Sequence, residues 1–189
     1  AFRQHLLSRF PFLRPEQVVA IPNGYDREDI PPLQPPPMGE RMVVTYAGTI
    51  FRLTSPAGLL GALRRLHAQS PDLARLLRLR FIGRVVDTEL PHFQGMESLG
   101  VERIGYLPHG LMMKEVAASH LLLCLLDESP GADRIHPAKI FELMALGRPC
   151  LTLAPEGALA DLVRTTQLGE ILPPRDEARI ADYLARLLN

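Results

Sequence analysis

From residue 42 onward, short apolar runs alternate with segments of helical periodicity, and this alternation constrains the fold more than any other feature. Six apolar runs are predicted to be strands, at 42–48, 77–83, 101–106, 121–127, 148–154 and 169–174. Helices are predicted at 56–70, 87–99, 109–119, 137–146, 157–166 and 176–188. Strands that are apolar throughout are buried on both faces, and parallel strands need crossover helices. The sequence therefore predicts an α/β fold with a doubly wound, six-stranded parallel sheet of the Rossmann-like type.

A sheet of this kind has a defined functional edge. Ligands bind in the crevice beyond the carboxyl ends of the strands, where the chain leaves the sheet. We therefore expect functional groups in the loops that follow five strand-ending residues, namely Ala47, Ile82, Ile104, Leu126 and Leu153.

The first 40 residues do not follow the alternating pattern. The chain begins without methionine inside a helix-like stretch, FRQHLLSRF, so residues 1–17 are predicted to be a helix or tail from a preceding domain. Residues 18–189 would then form the second unit. Five prolines between Pro31 and Pro37 predict a stiff surface connection over 30–40. An extended ligand for a partner domain is the alternative interpretation of this connection.

Composition excludes several classes of function. The formal net charge is zero and 22% of residues are charged, so no broad basic field is present to bind nucleic acid or an anionic membrane. No apolar run approaches the roughly 20 residues that span a bilayer, so membrane contact is expected only through parts outside this chain. Cys124 and Cys150 lie in apolar runs without a metal-ligand spacing, which indicates buried thiols in a reducing, cytoplasmic compartment.

The predicted helix at 137–146 carries Lys139 in its first turn, where a cation opposes the helix dipole. One hypothesis is that the helix start and Lys139 together bind an anion such as phosphate, with Glu142 accepting hydrogen bonds from sugar hydroxyls. The alternative is a solvated ion pair between Lys139 and Glu142 at i,i+3. Helical periodicity places four residues on the core face and leaves Leu143 near the opposite side; the four are Ile140, Phe141, Met144 and Ala145.

Other polar residues at the predicted edge are weaker candidates. Arg84 follows Gly83 at a strand end and could bind a diphosphate bidentately, although a solvated loop arginine is equally common. His109 and His136 lie in edge loops, where most histidines are simply exposed. The acidic loop 127–134 lacks the ligand spacing of a metal site. No G-x-G-x-x-G fingerprint is present, which disfavours a dehydrogenase.

The segment PAKIFELMALGRPCL (137–151) resembles the P-x-K-x-x-E-x-x-A-x-G-x-P motif in the donor-binding, C-terminal half of GT-B glycosyltransferases of the family-4 type. Further segments agree with that family in order and spacing. They are IPNGYD (21–26), YAGT (46–49), FIGR (81–84), VERIGYLPHGLM (101–112) and LGEILPPRDEARIADYLARLL (168–188). Together they cover nearly all of residues 18–188, which makes the resemblance specific as a set.

The resemblance implies roles for particular residues. The residue matching Glu142 hydrogen-bonds the nucleotide ribose, the turn matching Gly48-Thr49 approaches the donor diphosphate, and backbone near Tyr106-Leu107 contacts the base. The chain also departs from the family. The position of the usual first glutamate holds Arg134, with Asp133 beside it, and Thr49 and Thr54 stand where an arginine and a lysine commonly clamp the diphosphate. The remaining candidates for neutralising the phosphates are Arg52, Arg84, Arg134 and Lys139.

The resemblance therefore implies the donor-binding domain of an enzyme that transfers a sugar from a nucleotide-diphosphate sugar to an acceptor hydroxyl, with retention. We expect no cofactor or metal, and no turnover without an acceptor-binding domain that precedes this one. Lys139 and Arg84 are the expected catalytic groups. The expected donor-binding residues are Gly48, Thr49, Arg52, Gly83, Tyr106, Leu107, Asp133, Arg134, Ile140 and Glu142. The alternatives are a GT-B-like sugar-nucleotide epimerase and a non-catalytic GT-B-like domain that has lost donor binding.

Overall fold

The six predicted strands form one sheet in the computed structural model, which describes residues 2–32, 39 and 41–189. They are β1 (Met42–Ala47), β2 (Leu77–Ile82), β3 (Val101–Ile104), β4 (Leu121–Leu125), β5 (Cys150–Leu153) and β6 (Gly169–Leu172). All strand pairs are parallel, and the order across the sheet is β3-β2-β1-β4-β5-β6. The predicted fold class is therefore confirmed. The order reverses direction between β1 and β4, which is where such sheets open a crevice.

The α-helices are α1 (Phe2–Arg9), α2 (Ala57–Gln69), α3 (Pro71–Ala74), α4 (His109–Ala117), α5 (Lys139–Ala145), α6 (Ala158–Thr166) and α7 (Glu177–Leu188). The prediction of an α-helix at 87–99 was wrong. That stretch forms two 3-10 segments, Asp87–Phe93 and Glu97–Leu99. Pro91 lies inside the first segment and cannot donate a backbone hydrogen bond, and Gly95 between them has a φ of 71°.

Two apolar clusters cover the two faces of the sheet. On one face, α2 and α7 pack on the sheet through Leu59, Leu63 and Leu184, among others. On the other face, the second cluster joins α4, α5 and α6 through residues that include Met112, Ile140 and Val163. Every residue of β4 is buried, because alternate side chains enter opposite clusters. This explains why the strand is apolar throughout.

Both thiols of the chain belong to the sheet and are buried, as predicted. Cys124 on β4 and Cys150 on β5 are free cysteines whose side chains enter the second cluster. Burial raises the pKa of Cys150 to about 12 and raises the pKa of Cys124 well above its ordinary value. Neither thiol is therefore a reactive thiolate near neutral pH.

The core face of α5 differs from the prediction. Ile140, Leu143 and Leu146 are the buried residues of this region, whereas Phe141 and Met144 are only partly buried. The leucine-rich segment admits two overlapping stripes of helical period, and the packed one follows the spacing i, i+3, i+6. The expectation that Leu143 lies on the opposite side was therefore wrong. Lys139 and Glu142 nevertheless stay outside the buried stripe, with 39% and 24% of their side-chain surfaces exposed.

The amino-terminal part contributes little to these clusters. Helix α1 contains no buried residue. A 3-10 turn at Arg27–Asp29 begins where the Asp26 side chain accepts a hydrogen bond from the Glu28 N–H, and Ile30 then packs against the second cluster. Most of the predicted connection at 30–40, namely 33–38 and 40, lies outside the described residues. Among the helices of the described ranges, none is both long and apolar enough to cross a membrane.

Candidate functional site

A cavity of about 250 Å³ opens at the carboxyl ends of β1, β2 and β3, on the face covered by α4 and α5. It lies beside the point where the strand order reverses, where ligands of doubly wound sheets bind. Seven of the residues predicted to bind or activate a donor line this cavity. They are Gly48, Thr49, Gly83, Arg84, Tyr106, Leu107 and Lys139.

Bare backbone forms the floor of the cavity. Gly48 and Gly83 follow β1 and β2 with φ values of 153° and 128°, where residues with a side chain are strained. The Gly48 N–H donates to the Ile82 carbonyl at 2.9 Å, and the Gly83 N–H donates to the Ile104 carbonyl at 2.9 Å. A Cβ atom on Gly83 would overlap the carbonyl oxygen of Gly48. Gly83 is therefore required for the close approach of these strand ends, and the positive φ of Gly48 favours glycine there as well.

The loop after Gly48 is held by two hydroxyl groups. The Tyr46 hydroxyl donates to the Thr49 carbonyl at 3.1 Å, and Thr54 Oγ1 donates to the same oxygen at 2.8 Å. Thr54 Oγ1 also accepts from the Phe51 N–H at 3.2 Å. The threonine at the position of the family's second clamp cation thus closes the loop after β1. Its hydroxyl takes a structural role that the sequence did not indicate.

Tyr46→Phe should change the free energy of unfolding by an amount that depends on pH. Burial raises the pKa of Tyr46 to about 12, so the neutral phenol stabilises the folded state at pH below 10 and this contribution is lost as the pH rises through 12. Near pH 8 the variant should lose about 1 kcal/mol with the hydrogen bond. Above pH 10 the wild type should lose stability relative to the variant by about 1.4 kcal/mol per pH unit. Urea unfolding of both proteins between pH 8 and pH 11.5 measures this difference, and parallel curves would contradict it.

Lys139 lies against the glycine turn and belongs to a row of ionisable side chains. Its Cε atom is 3.4 Å from the position of a Cβ on Gly48. Its Nζ is 3.8 Å from Glu142 Oε2, and Glu142 Oε1 is 3.9 Å from His109 Nε2. The same His109 nitrogen is 3.3 Å from Asp29 Oδ2. The i,i+3 ion pair of the alternative hypothesis is therefore present, but 3.8 Å exceeds hydrogen-bond length, and such exposed pairs are worth a few tenths of a kcal/mol.

The start of α5 offers fewer free N–H groups than expected. The helix begins at Lys139 rather than at Pro137, and the N–H groups of Ile140 and Phe141 donate to the Pro137 and Ala138 carbonyls at 3.1 and 3.3 Å. The positive character of this corner of the cavity therefore comes mainly from the Lys139 ammonium group. Arg84 adds a second, exposed cation to the lining of the cavity.

Five other predicted donor contacts are not among the residues that line the cavity. One is Glu142, whose carboxylate lies beside two lining residues, Lys139 and His109. Arg52 lines a separate cavity of about 410 Å³, where its guanidinium is 3.4 Å from the Ser129 hydroxyl. Asp133 and Arg134 form a 3-10 turn and a mutual ion pair at 3.8 Å. The Ile140 side chain is fully buried, so it cannot contact a ligand. The position predicted for the first family glutamate thus does not line this cavity.

Two further candidates of the edge loops have structural partners. His136 Nε2 is 2.9 Å from the Ala158 carbonyl oxygen, which ties the loop before α5 to α6. The buried carboxylate of Asp127 accepts two hydrogen bonds from the Arg175 guanidinium at 3.0 and 2.9 Å. Among the residues that the structure describes, no group of three or more potential ligands could hold a metal ion. The acidic loop therefore forms a salt bridge with the loop that follows β6.

Sequence patterns did not identify two residues at or beside the site, Asp29 and Met112. Asp29 approaches the cavity wall from the amino-terminal segment through His109, and nothing in the sequence links these two distant positions. Met112 lines the cavity from the first turn of α4, and its helical spacing from His109 could have identified it.

Comparison with known proteins gives one family and many similar structures. The family model described as glycosyl transferases group 1 matches residues 41–189. A comparison with curated proteins found no match. Among solved structures, the chain is similar to the apo form of the lipopolysaccharide outer core galactosyltransferase WaaB, with a TM-score of 0.66 and 17% identity over 98% of this chain and 50% of that one.

Two more similar structures come from other enzymes. A mutant of TarM from S. aureus, in complex with Fondaparinux, alpha-GlcNAc-glycerol and UDP, has a TM-score of 0.67 and 13% identity over 99% of this chain and 35% of that one. A UDP-forming trehalose-phosphate synthase from Burkholderia xenovorans has a TM-score of 0.56 and 15% identity over 79% and 37% of the two chains. The chain thus spans about half or less of the length of these proteins.

Proposed function

The chain belongs to the group 1 glycosyl transferases and has the fold of a GT-B glycosyltransferase domain, and from this premise we propose that it binds the nucleotide-diphosphate sugar donor of a sugar-transfer reaction. The acceptor hydroxyl would be presented by another part of the protein, on an amino-terminal domain, and the transfer would retain the anomeric configuration. We propose that this chain alone binds donor without turnover, and that it works in the cytoplasm, which suits two free thiols.

One observation carries the proposal. The glycine turn at Gly48, the strand end at Gly83-Arg84, the loop at Tyr106-Leu107 and Lys139 come from four separate stretches of the chain and line a single cavity. Each of these stretches resembles a donor-binding segment of the family. Their convergence beyond the carboxyl ends of β1, β2 and β3 supports a common ligand.

In the proposed mode of binding, the diphosphate lies on the bare backbone of Gly48 between Lys139 and Arg84. Charge accumulates on this leaving group as the glycosidic bond breaks, so fixed cations stabilise the transition state more than the ground state. Gly48 and Gly83 have no side chains at the floor of the cavity, so phosphate oxygens could approach the main chain closely there. Lys139 and Arg84 would therefore replace the arginine and lysine of the usual clamp, whose positions hold Thr49 and Thr54.

The nucleoside would extend from the diphosphate toward α4. Glu142 would accept hydrogen bonds from the ribose hydroxyls. Both of its carboxylate oxygens are beyond hydrogen-bond distance from Lys139 and His109, which supports this role. The base would lie near Leu107 and Tyr106, and Tyr106 is 83% exposed and free to cover it. No metal or cofactor enters this proposal, because the cationic side chains neutralise the phosphates.

Titration calorimetry tests donor binding directly. The chain should bind UDP or GDP, and the matching nucleotide sugar, with a dissociation constant in the micromolar range at moderate ionic strength. Uridine or guanosine should bind at least about 100-fold more weakly, because they lack the phosphates that Lys139 and Arg84 would hold. If neither nucleotide nor its sugars bind at millimolar concentration, the chain is a GT-B-like domain that has lost donor binding.

Product analysis separates transfer from the rival reaction. The protein that contains this chain together with the acceptor-binding part should release nucleoside diphosphate from its donor only slowly without acceptor. A sugar-nucleotide epimerase would instead convert the donor with no acceptor present. Chromatography of the sugar products after incubation with donor alone distinguishes these outcomes.

A further inference from the structure

His109 is held between two carboxylates at the rim of the cavity. Its Nε2 atom lies 3.3 Å from Asp29 Oδ2 and 3.9 Å from Glu142 Oε1. Glu142 also has a cationic neighbour, because its other oxygen is 3.8 Å from Lys139 Nζ. The carboxylate of Glu142 therefore lies between the imidazole of His109 on α4 and the ammonium group of Lys139 on its own helix.

The position of Asp29 is fixed by its own segment. The Asp26 side chain accepts the Glu28 N–H at 3.0 Å and starts the 3-10 turn that carries Asp29. Directly after this turn, Ile30 packs against the second apolar cluster, to which Met112 of α4 also belongs. The amino-terminal segment is thus anchored beside α4 by an apolar contact, and Asp29 reaches His109 from this anchor.

We propose that His109 and Asp29 are positioning residues for Glu142. Asp29 orients the imidazole of His109, and the imidazole restricts the Glu142 side chain to a conformation in which its carboxylate lies between His109 and Lys139, two residues that line the cavity. Neither neighbour of Glu142 is at hydrogen-bond distance, so its oxygens keep their capacity to accept hydrogen bonds from vicinal hydroxyl groups. This inference rests on the proposed function, since it assigns the sugar-reading role of Glu142 to a three-residue arrangement.

The arrangement has a consequence for the segment that enters the domain. Asp29 lies outside the sheet and its crossovers, yet it would influence how the nucleoside is recognised. A displacement of residues 26–30 would release His109 and, through it, Glu142. Recognition of the ribose would therefore depend on how the amino-terminal segment is seated on α4.

The test compares a ribonucleotide with its 2′-deoxy counterpart. Calorimetry would measure UDP against 2′-deoxy-UDP, or the GDP pair where the wild type binds GDP, with thermal unfolding as the control for folding. The wild type should prefer the ribonucleotide by about tenfold, as expected for a hydroxyl bonded to a carboxylate. His109→Ala should reduce this preference to about threefold or less and leave the affinity for the deoxynucleotide within about twofold. His109→Gln, which keeps a donor, should restore most of the preference, and Asp29→Asn should lower it in part.

A merely structural role for His109 gives a different result. It would reduce the affinities for both nucleotides in parallel, and this outcome, like an unchanged preference in His109→Ala, overturns the inference. If His109→Ala does not fold, Asp29→Asn decides, because its residue lies on an exposed turn. A wild type that binds no nucleotide contradicts the proposed function itself. A wild type that binds and discriminates, with variants that discriminate equally well, contradicts only the positioning role.

Discussion

Lys139→Ala is expected to weaken binding of UDP or GDP about 100-fold while changing the free energy of unfolding by less than about 0.5 kcal/mol. Lys139 is the cation nearest to the bare backbone at Gly48, so its loss would leave the diphosphate with Arg84 as its main positive contact. Its side chain is 39% exposed and lies outside the buried stripe of α5, so the fold should tolerate the change.

Calorimetry and urea unfolding of the same variants would measure both quantities. Lys114→Ala is the matched control, because Lys114 is the only other lysine of the sequence and is exposed on α4. It should leave nucleotide binding unchanged. Glu142→Gln should weaken binding by about tenfold, because a neutral amide accepts hydrogen bonds from hydroxyls less strongly than a carboxylate.

The same experiment decides between the two interpretations of the Lys139–Glu142 pair. A loss of more than about 1 kcal/mol of stability in Lys139→Ala, with unchanged nucleotide affinity, would show that the pair only stabilises α5. The nucleoside alone gives a second check. Affinity for uridine or guanosine should be nearly the same in the wild type and in Lys139→Ala, because Lys139 is proposed to contact only the phosphates.

Gly83→Ala is expected to cost about 3 kcal/mol of stability and to weaken nucleotide binding at least tenfold. Its φ of 128° strains any residue with a side chain, and the added Cβ would overlap the Gly48 carbonyl oxygen. This overlap cannot relax without moving the main chain, because the Gly48 carbonyl oxygen belongs to the backbone. The strand ends would move apart, and the floor of the cavity would move with them.

Urea unfolding and calorimetry again provide the measurements for Gly83→Ala. The control is Gly110→Ala in α4, where a Cβ meets no described atom within 4 Å and helix propensity favours alanine by up to about 1 kcal/mol. This control should be as stable as the wild type or slightly more stable. Equal stability of Gly83→Ala and the wild type would contradict the close packing of the two glycine turns.

The sheet could be predicted from sequence because apolar runs such as that of β4 leave few alternatives. Its residues are buried on both faces, and only a central parallel strand combines such a run with flanking helices. The helix predicted at 87–99 was wrong because Pro91 and Gly95 outweighed its apolar spacing. The core face predicted for α5 was wrong because apolar stripes of helical period can begin at either Ile140 or Phe141. Tertiary packing buries the stripe that begins at Ile140.

The site was predictable where it is made of local motifs. The glycine turns, the strand-end arginine at Arg84 and Lys139 each have a local signal, and all of them line the cavity. The contact between Asp29 and His109 joins distant parts of the chain and has no such signal. The role of Thr54 was also hidden, because its hydroxyl acts on a backbone carbonyl rather than in a recognisable cluster of side chains.

The two buried thiols make the molecule convenient for spectroscopy. Cys124 and Cys150 are sealed within adjacent strands and are the only cysteines in the sequence. A maleimide dye would therefore find almost no native target, and a single cysteine introduced at the exposed position of Tyr106 could be labelled in an otherwise unmodified background. Site-specific fluorescent labelling would therefore not require replacement of the native cysteines.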